Sequence, residues 1–136
     1  MSSKRKAVVA VVRHEGKILM GKKKKSDKKM MSGKWHIPGE TLEVGETDEQ
    51  GLVRGMMEEA SIEVKPGKYI GSHISSTGKL VKWYECTPLT TDVVAGSDLE
   101  EIAWIPFEKV LDICQKRITS LWPQEALEYF ENKKKV

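Results

Sequence analysis

Two adjacent carboxylates, Glu58 and Glu59, stand near the end of a segment whose spacing predicts an amphipathic helix. Hard cations such as Mg²⁺ prefer oxygen ligands, usually one or two carboxylates, with water and substrate phosphates completing the shell. Arg54 lies one helical turn before Glu58, and Gly55 falls on the sector between the two glutamates. The pair therefore indicates a divalent-metal site or, as the alternative, an ordinary solvated helix surface.

The helix that must position these carboxylates is predicted to begin near Thr47. Thr47 and Gln50 have the spacing of a capping box, and Asp48 and Glu49 bring negative charge to the first turn. At roughly 100° per residue, the apolar residues fall on one broad arc. The residues of that arc, which are predicted to be buried, are Leu52, Val53, Met56, Met57 and Ala60. The helix should present this arc to a core and an acidic edge to another group.

The segment from Glu40 to Ile62 resembles the sequence signature of the Nudix hydrolase family, the Nudix box. The box reads G-x5-E-x7-R-E-U-x-E-E-x-G-U, where U is a bulky aliphatic residue. In this chain the first glutamate of the box is Glu46, the arginine is Arg54, and the closing pair is Glu58 and Glu59. The resemblance extends along most of the chain, from the first predicted strand to the segment 104–106.

Three positions depart from the box. Glu40 replaces its first Gly, Gly55 replaces the Glu after the Arg, and Ser61 replaces its last Gly. The two glycines serve backbone geometry, whereas family members often use the glutamate to bind metal or to activate water. The resemblance thus implies that Gly55→Glu raises turnover. It also implies that Glu101, or failing that Glu100, takes over part of the water-activating role.

The resemblance implies a role for each matched residue. Glu58 and Glu59 would hold Mg²⁺ or Mn²⁺, and Gly39, from the Pro-Gly that commonly precedes the box, would add its carbonyl oxygen. Arg54 would orient the glutamates, particularly Glu46, through charge-assisted hydrogen bonds. The implied reaction is hydrolysis of a phosphoanhydride bond in a nucleoside diphosphate linked to another group. The metals would polarise the phosphates and lower the pKa of the attacking water.

The remaining elements indicate an α/β fold. Strands are predicted at residues 7–12, 18–20, 35–39, 69–75 and 80–87 and around residue 104, with another from residue 62 that breaks at 66–67. A hairpin turn is predicted at Thr77-Gly78, a short helix after Pro106, and a last helix at 122–132. The resemblance implies a single Nudix-like domain over residues 1–136, built as a Nudix-type α/β/α sandwich on a mixed β-sheet.

Three side chains are candidates for substrate binding. Lys23 belongs to a polar stretch, residues 21–34, that is either a solvated loop or an attractor of polyphosphate. Trp35 is expected in the core or in a wall of the pocket, and the neighbouring His36 is expected to be structural. Trp83 and Tyr84 should point to opposite faces of their strand, and Tyr84 is the candidate for the nucleoside pocket.

Composition narrows the function classes. The net charge of +3 over 136 residues is modest, and the interleaved aromatics of single-strand recognition are absent, so no specific nucleic-acid partner is expected. Cys86 and Cys114 lack metal-site spacing and are predicted to be reduced, half-buried thiols of a cytoplasmic protein. No segment is long enough to span a bilayer. The expected partner is a small nucleotide, and a homodimer remains an open option. The alternative is a Nudix-fold protein that binds a nucleotide or protein without turnover, which Gly55 favours.

Overall fold

The computed structural model describes residues 5–24, 33–96, 98–114 and 119–132. Within these ranges a seven-stranded sheet carries helices on both faces. The strands are β1 (Lys6–His14), β2 (Lys17–Lys23), β3 (Trp35–His36), β4 (Gly39–Thr41), β5 (Val64–Ile74), β6 (Leu80–Pro88) and β7 (Leu99–Pro106). The helices are α1 (Asp48–Ala60), α2 (Val110–Ile113) and α3 (Gln124–Asn132), and a 3₁₀ turn, Phe107–Lys109, precedes α2.

β1 is the central strand of this mixed sheet. β6 pairs with it in parallel along one edge, from Lys6↔Leu80 to Val12↔Cys86. On the other edge β4 pairs antiparallel with the first half of β1, and β2 pairs antiparallel with its end. β5 continues the sheet beyond β6, whereas β3 and β7 both pair with β2. The edge of β1 is therefore divided between two strands, and a gap opens where they separate.

Successive residues of β1 enter two different cores, because side chains alternate between the faces of a strand. Val9 and Val11 pack with residues of α2 and α3 on one face. Val8, Ala10 and Val12 pack with residues of α1 on the other. The strand is buried on both faces, as its Val-rich sequence predicts. These two cores confirm the α/β/α sandwich on a mixed sheet.

The predicted break at Pro66-Gly67 is wrong, because β5 runs without interruption across it. The register between β5 and β6 shifts between Pro66 and Tyr69 and again before Gly71. Extra residues in one strand are accommodated as bulges, which bend the strand without ending it. The predicted turn at Thr77-Gly78 is confirmed: Gly78 has a φ of 86°, and its N–H donates to the Ser75 carbonyl at 2.9 Å.

The buried face of α1 is rotated from the predicted arc. Val53 and Met57, predicted to be buried, are 40% and 45% exposed. Gly51, Gly55 and Glu59 are buried instead, together with the correctly predicted Leu52, Met56 and Ala60. Added Cβ atoms at Gly51 and Gly55 would overlap the side chains of Leu42 and Glu40. The two glycines thus form a groove that lets the segment around β4 approach the helix, and a hydrophobicity pattern does not score such a groove.

Smaller differences concern the loop and the thiols. β2 extends to Lys23, so the first residues of the predicted loop 21–34 are strand, and the lysines within 25–32 lie outside the described residues. Cys86 and Cys114 are free and fully buried, not half-buried, and burial raises the pKa of each thiol to about 12. No helix in the described ranges is long and apolar enough to cross a membrane.

Candidate active site

The two ends of α1 are fixed by local hydrogen bonds, and this sets the direction of its acidic edge. At the start, the capping box is confirmed: Gln50 N–H donates to Thr47 Oγ1 at 3.1 Å, and Thr47 N–H donates to Gln50 Oε1 at 2.9 Å. At the end, Ser61 takes a left-handed conformation, with a φ of 60°. Its N–H donates to the Met57 carbonyl at 3.1 Å. This is the place where a box glycine would stand, since glycine adopts that conformation without steric cost.

Arg54 is the centre of the polar network. Its Nε and Nη2 donate to the two carboxylate oxygens of Glu46, at 2.7 and 2.8 Å. Its Nη1 donates to Glu40 at 2.9 Å and to Glu58 at 3.1 Å. Nη2 also donates to the Thr41 carbonyl at 3.0 Å. One planar guanidinium therefore joins the loop before α1, strand β4 and the end of the helix, using the fork geometry of arginine.

The charges of this network stabilise one another. The hydrogen bonds from Arg54 lower the pKa of Glu46 to about 2, and Glu46 and Glu40 raise the pKa of Arg54. Glu46 is therefore a permanent anion at neutral pH and is bound on both oxygens. It fixes the guanidinium, and so acts as a positioning group.

Glu40 belongs to the same network, although the sequence showed it only as a replacement for the first glycine of the box. Its side chain is 23% exposed, and Glu40 and Glu58 both accept from the same Arg54 Nη1. Burial, and then the proximity of Glu58, raise the pKa of Glu40 to about 7 against the opposing effect of Arg54. Two carboxylates in such proximity repel each other when both are ionised.

Glu58 and Glu59 differ in environment. Glu58 is exposed and faces Arg54, whereas Glu59 is only 6% exposed. Burial raises the pKa of Glu59, and the positive charge of Lys23 acts in the opposite direction. Burial of a carboxylate is costly unless a cation compensates it. The structure thus joins Glu58, Arg54 and Glu46 by direct contacts, whereas Glu59 lies beside Glu58 on the helix without a contact to Arg54 among those described.

Glu59 lines a cavity of about 420 Å³ at the gap between β2 and β4. Two ammonium groups, Lys23 and Lys79, also line it, and Lys79 Nζ donates to Thr41 Oγ1 at 2.9 Å. The other lining residues are Ala7, Val8, Val9, Gly21, His36, Ile37, Pro38, Gly39, Glu40, Thr41, Ser75, Val81 and Leu99. Lys23 therefore lies at the cavity, and its role in substrate binding stays a prediction. No pattern in the sequence indicates Lys79, because the β5–β6 hairpin brings it to the cavity.

The backbone of β4 supplies a further oxygen at the site. Ala10 N–H donates to the Pro38 carbonyl, and Leu42 N–H donates to the Lys6 carbonyl. Hydrogen-bonded and non-hydrogen-bonded pairs alternate in an antiparallel ladder, so Gly39 and Thr41 direct their carbonyls away from β1. The Thr41 carbonyl meets Arg54 in this way. The Gly39 carbonyl leaves the strand on the same side, and its role as a metal ligand stays a prediction.

Four predicted residues are not brought to this centre. Glu101 is exposed and lies 3.9 Å from Lys22 across the β7–β2 ladder, and Glu100 is also exposed. Trp35 packs against the core on the α3 side. The Tyr84 hydroxyl donates to Asp48 at 2.5 Å, near the start of α1. None of the four lines the cavity.

His36 lines the cavity and has a structural role, as expected. Its Nδ1 lies 2.6 Å from the Ile37 carbonyl, and the Trp122 indole N–H donates to its Nε2 at 3.3 Å. These partners require the neutral ring with its proton on Nδ1. Burial lowers the pKa of His36 to about 4, consistent with that state.

The donor set fits a hard divalent cation. Glu58, Glu59 and the Gly39 carbonyl offer oxygen atoms only, the ligand type that Mg²⁺ prefers. In the part of the chain that the structure describes, no group of three or more His, Cys, Asp or Glu side chains is placed so that it could hold a metal ion. Mg²⁺ usually takes only one or two carboxylates from a protein, because waters and substrate phosphates complete its shell.

Known proteins resemble this chain in sequence and in fold. The family model of the NUDIX domain matches residues 3–127. The CTP pyrophosphohydrolase of Escherichia coli (strain K12) is 37% identical over 67 residues, which are 48% of this chain and 47% of that protein. This chain thus matches about half the length of that curated relative.

Solved structures share the fold. A NUDIX hydrolase from Nitrosomonas europaea superposes with a TM-score of 0.77 at 22% identity, over 98% of this chain and 73% of the other. The MutT protein from Methanosarcina mazei Go1 superposes with a TM-score of 0.74 at 24% identity, over 98% of this chain and 96% of the other. At such identities these structures support the fold alone.

Proposed function

Because the chain belongs to the Nudix family, we propose that it hydrolyses a phosphoanhydride bond of a nucleoside triphosphate or a related nucleotide, with dependence on Mg²⁺ or Mn²⁺. The observation that carries this proposal is the Arg54 network. One guanidinium holds Glu46, Glu40 and Glu58 beside the cavity that Glu59 lines. Carboxylates and ammonium groups thus meet at one concave surface, which suits a metal–polyphosphate ligand.

In this proposal each side chain has a distinct task. Lys23 and Lys79 bind phosphate oxygens from the cavity wall, where both are placed. Glu58, Glu59 and the Gly39 carbonyl would hold the divalent cation, which supplies charge neutralisation on the phosphates and a more acidic water. Arg54, fixed by Glu46, keeps these carboxylates in register. Catalysis of phosphoryl transfer depends on positioning and on electrostatic stabilisation, and this arrangement of side chains supplies both.

The substrate class follows from the family and from one relative. The relative named a CTP pyrophosphohydrolase is 37% identical over 67 residues, so CTP is the first nucleotide to test and not a conclusion. A cavity of about 420 Å³ has the size of a small-ligand site. We propose a small-molecule nucleotide as the partner, in a single Nudix-like domain, and a cytoplasmic location.

The test is hydrolysis of a nucleotide panel. The four ribonucleoside triphosphates, the four deoxyribonucleoside triphosphates, ADP-ribose and a dinucleoside polyphosphate would be incubated with Mg²⁺, with Mn²⁺ or with chelator. Products would be separated by ion-exchange chromatography. We expect metal-dependent release of a nucleoside monophosphate from at least one compound. Saturable binding of a nucleotide without any product would instead support the alternative function.

That alternative, a Nudix-fold binding protein, is favoured by one observation: position 55 carries no carboxylate. Such a protein would use the same cavity to hold a nucleotide and would show no chelator-sensitive turnover. A partner protein would instead have to cover the exposed side of α1, where Val53 and Met57 lie.

A further inference from the structure

Lys79 brings a positive charge to the wall of the cavity from the tip of the β5–β6 hairpin. Ser75 fixes the backbone there: its N–H donates to the Lys79 carbonyl at 2.9 Å, and its Oγ accepts from the Lys79 N–H at 3.1 Å. The Lys79 ammonium donates to Thr41 Oγ1 at 2.9 Å. A hydroxyl on β4 therefore holds this ammonium group at one place on the cavity wall.

No anion compensates the charge of Lys79 within the described ranges. The residue is partly buried, and among the residues that the structure describes its side chain is bound by the neutral hydroxyl of Thr41. An ammonium group has three N–H donors, so two remain for a ligand. Removal of a charge from water is costly unless an opposite charge compensates it. Lys79 at a concave surface therefore indicates an anionic ligand.

The position of Lys79 relative to the sheet follows from its contact with β4. Glu40 points to α1, because a Cβ added at Gly55 would lie 2.8 Å from the Glu40 Cβ. Side chains alternate along a strand, so Thr41 points to the other face. Ala7, the cross-strand partner of Thr41, packs against the core on the α3 side. Lys79 binds the Thr41 hydroxyl and therefore lies on the α3 side of β4.

The lining of the cavity differs between the two sides of β4. On the α1 side it includes the carboxylates Glu40 and Glu59, and the positive charge of Lys23 acts on the pKa of Glu59. Small-ligand sites contact the apolar part of a ligand with apolar side chains and fix its polar groups with a few charged ones. On the side of Lys79 the lining is apolar, with Ala7, Val9, Ile37 and Val81.

We propose that Lys79, positioned by Thr41, binds the phosphate group that is attached directly to the nucleoside. This inference deepens the proposed function and rests on it for the identity of the ligand as a nucleotide. The direction of the nucleotide in the cavity follows from it. The nucleoside lies on the apolar lining, and the remaining phosphates extend towards Lys23 and the carboxylates of the α1 side. Lys79 thus determines the orientation of the substrate, and Thr41 is a positioning residue that acts through it.

The first test measures the binding of nucleoside monophosphates, which carry only the phosphate that Lys79 is proposed to bind. AMP, CMP, GMP and UMP would be titrated by calorimetry with a chelator present, so that no divalent cation contributes. Lys79→Met keeps the length of the side chain and removes its charge. We expect it to bind the best of the four at least about 10-fold more weakly, the loss typical of a hydrogen bond to a charged group. Affinity equal to the parent's, or a parent that binds none of the four, would overturn the proposal.

Lys82→Met is the matched control. The Lys82 ammonium lies on the same strand as the cavity residue Val81, is 3.2 Å from Asp48 Oδ2 and does not line the cavity. Its substitution changes the net charge by the same amount. We expect the monophosphate affinity to stay within about twofold of the parent's, a free-energy change of roughly 0.4 kcal/mol. Equal losses in the two methionine variants would show a general effect of charge and would contradict the proposal.

Lys23→Met tests the direction of the nucleotide. If the phosphates beyond the first extend towards Lys23, this variant should lose more affinity for the triphosphate than for the monophosphate of the same nucleoside. It should also bind the monophosphate more tightly than Lys79→Met does. A monophosphate that depends more on Lys23 than on Lys79 would reverse the orientation and overturn the inference.

Thr41→Val tests the positioning role. It keeps the shape of the side chain and the backbone carbonyl that accepts from Arg54, and it removes the hydroxyl. We expect it to weaken monophosphate binding about 3-fold, within the range of one hydrogen bond. In the Lys79→Met background the same substitution should have no effect, as a double-mutant cycle requires of a residue that acts through another. Equal losses in both backgrounds would show that the hydroxyl acts independently of Lys79. The melting temperature of each variant would confirm that it is folded.

Failure of this inference and failure of the proposed function are separable, because monophosphate binding is measured without metal and without turnover. If no nucleotide is hydrolysed but Lys79→Met still weakens monophosphate binding, the role of Lys79 stands and the hydrolase proposal fails. If the parent hydrolyses a nucleotide and Lys79→Met binds the monophosphate as the parent does, the hydrolase proposal stands and the role of Lys79 fails.

Discussion

Arg54 and Glu46 form a two-point ion pair in which Nε and Nη2 donate to both carboxylate oxygens, at 2.7 and 2.8 Å. The pair leaves Nη1 directed at Glu40 and Glu58. The orientation of the guanidinium thus depends on its contact with Glu46, eight positions earlier in the chain. Through the guanidinium, the same contact sets the positions of the other carboxylates.

Arg54→Lys tests this dependence, because lysine keeps the charge and loses the planar fork. We expect kcat to fall about 10²-fold, the cost typical of a misplacement near 1 Å. The Michaelis constant should change much less. Steady-state kinetics on the best nucleotide substrate would measure both. A lysine variant with the parent's kcat would show that charge alone is sufficient at this position.

A second prediction concerns the loop that packs against the end of α1. Gly96 N–H donates to the Glu59 carbonyl at 2.9 Å, and a Cβ at Gly96 would overlap the Glu58 carbonyl oxygen. Gly96→Ala should therefore destabilise the protein by about 1–3 kcal/mol, as overpacking does. It should also lower kcat, since the displaced backbone carries both glutamates. Urea unfolding would measure the stability.

The control for that substitution is Val94→Ala, which changes an exposed side chain two residues before Gly96. It should change stability by less than about 0.5 kcal/mol, as surface substitutions usually do. A similar loss in both variants would mean that the loop as a whole, and not the close approach at Gly96, supports the helix end.

Much of this arrangement could be predicted from the sequence. The box spacing indicated Arg54, Glu46, Glu58 and Glu59 as one group, and the structure shows Arg54 in contact with Glu46 and Glu58, while their roles in the chemistry stay predictions. The role of Glu40 could not be predicted in the same way. Its contact with Gly55 joins a strand to a helix, and a one-dimensional pattern registers the two departures as separate losses. The expected gain from Gly55→Glu alone is revised for this reason, since Glu40 occupies the space.

The remaining differences have similar causes. A hydrophobic pattern does not register glycine, so it missed the groove at Gly51 and Gly55. The buried face of α1 was therefore predicted at the wrong angle around the helix axis. Lys79 reaches the cavity from the tip of the β5–β6 hairpin. No spacing in the sequence indicates that it lies near the other residues of the cavity. The predicted base, Glu101, pairs with Lys22 in the ladder, because the register of β7 on β2 was not accessible from sequence.

A third prediction uses pH. Burial lowers the pKa of His36 from 6.5 to about 4, so the folded state favours the neutral ring. Protonation of Nε2 would also place an N–H against the Trp122 indole N–H, so that two donors would face each other without an acceptor. Since the unfolded chain binds the proton more tightly, stability should be lost as the pH falls from 6.5 towards 4.

The measurement is the melting temperature of the parent and of His36→Gln at intervals between pH 8 and pH 4, without metal. The glutamine variant does not titrate, so the decrease over this window should be smaller in the variant. Parallel curves for the two proteins would assign the decrease to other groups.

A fourth prediction concerns the C-terminal end of α1. Ser61 has a φ of 60°, which costs an L-residue roughly 1–2 kcal/mol relative to glycine. Ser61→Gly should therefore raise the free energy of unfolding by about 1 kcal/mol with no change in kcat. Ser61→Ala, which gains no such freedom, serves as the control. Unchanged or reduced stability of the glycine variant would show that the serine side chain compensates for the strained backbone.

The most direct test of the active-site assignment is the kcat of Glu59→Gln for the best nucleotide substrate at saturating Mg²⁺. Glu58→Gln would be measured beside it, and Glu63→Gln, an exposed carboxylate just beyond the helix, would be the control. A folded Glu59→Gln protein should lose at least about 10²-fold in kcat, as expected when a group that acts on transition-state charge is removed. Glu63→Gln should keep the parent's rate. Turnover by Glu58→Gln and Glu59→Gln at the parent's rate would place the chemistry elsewhere and contradict the assignment.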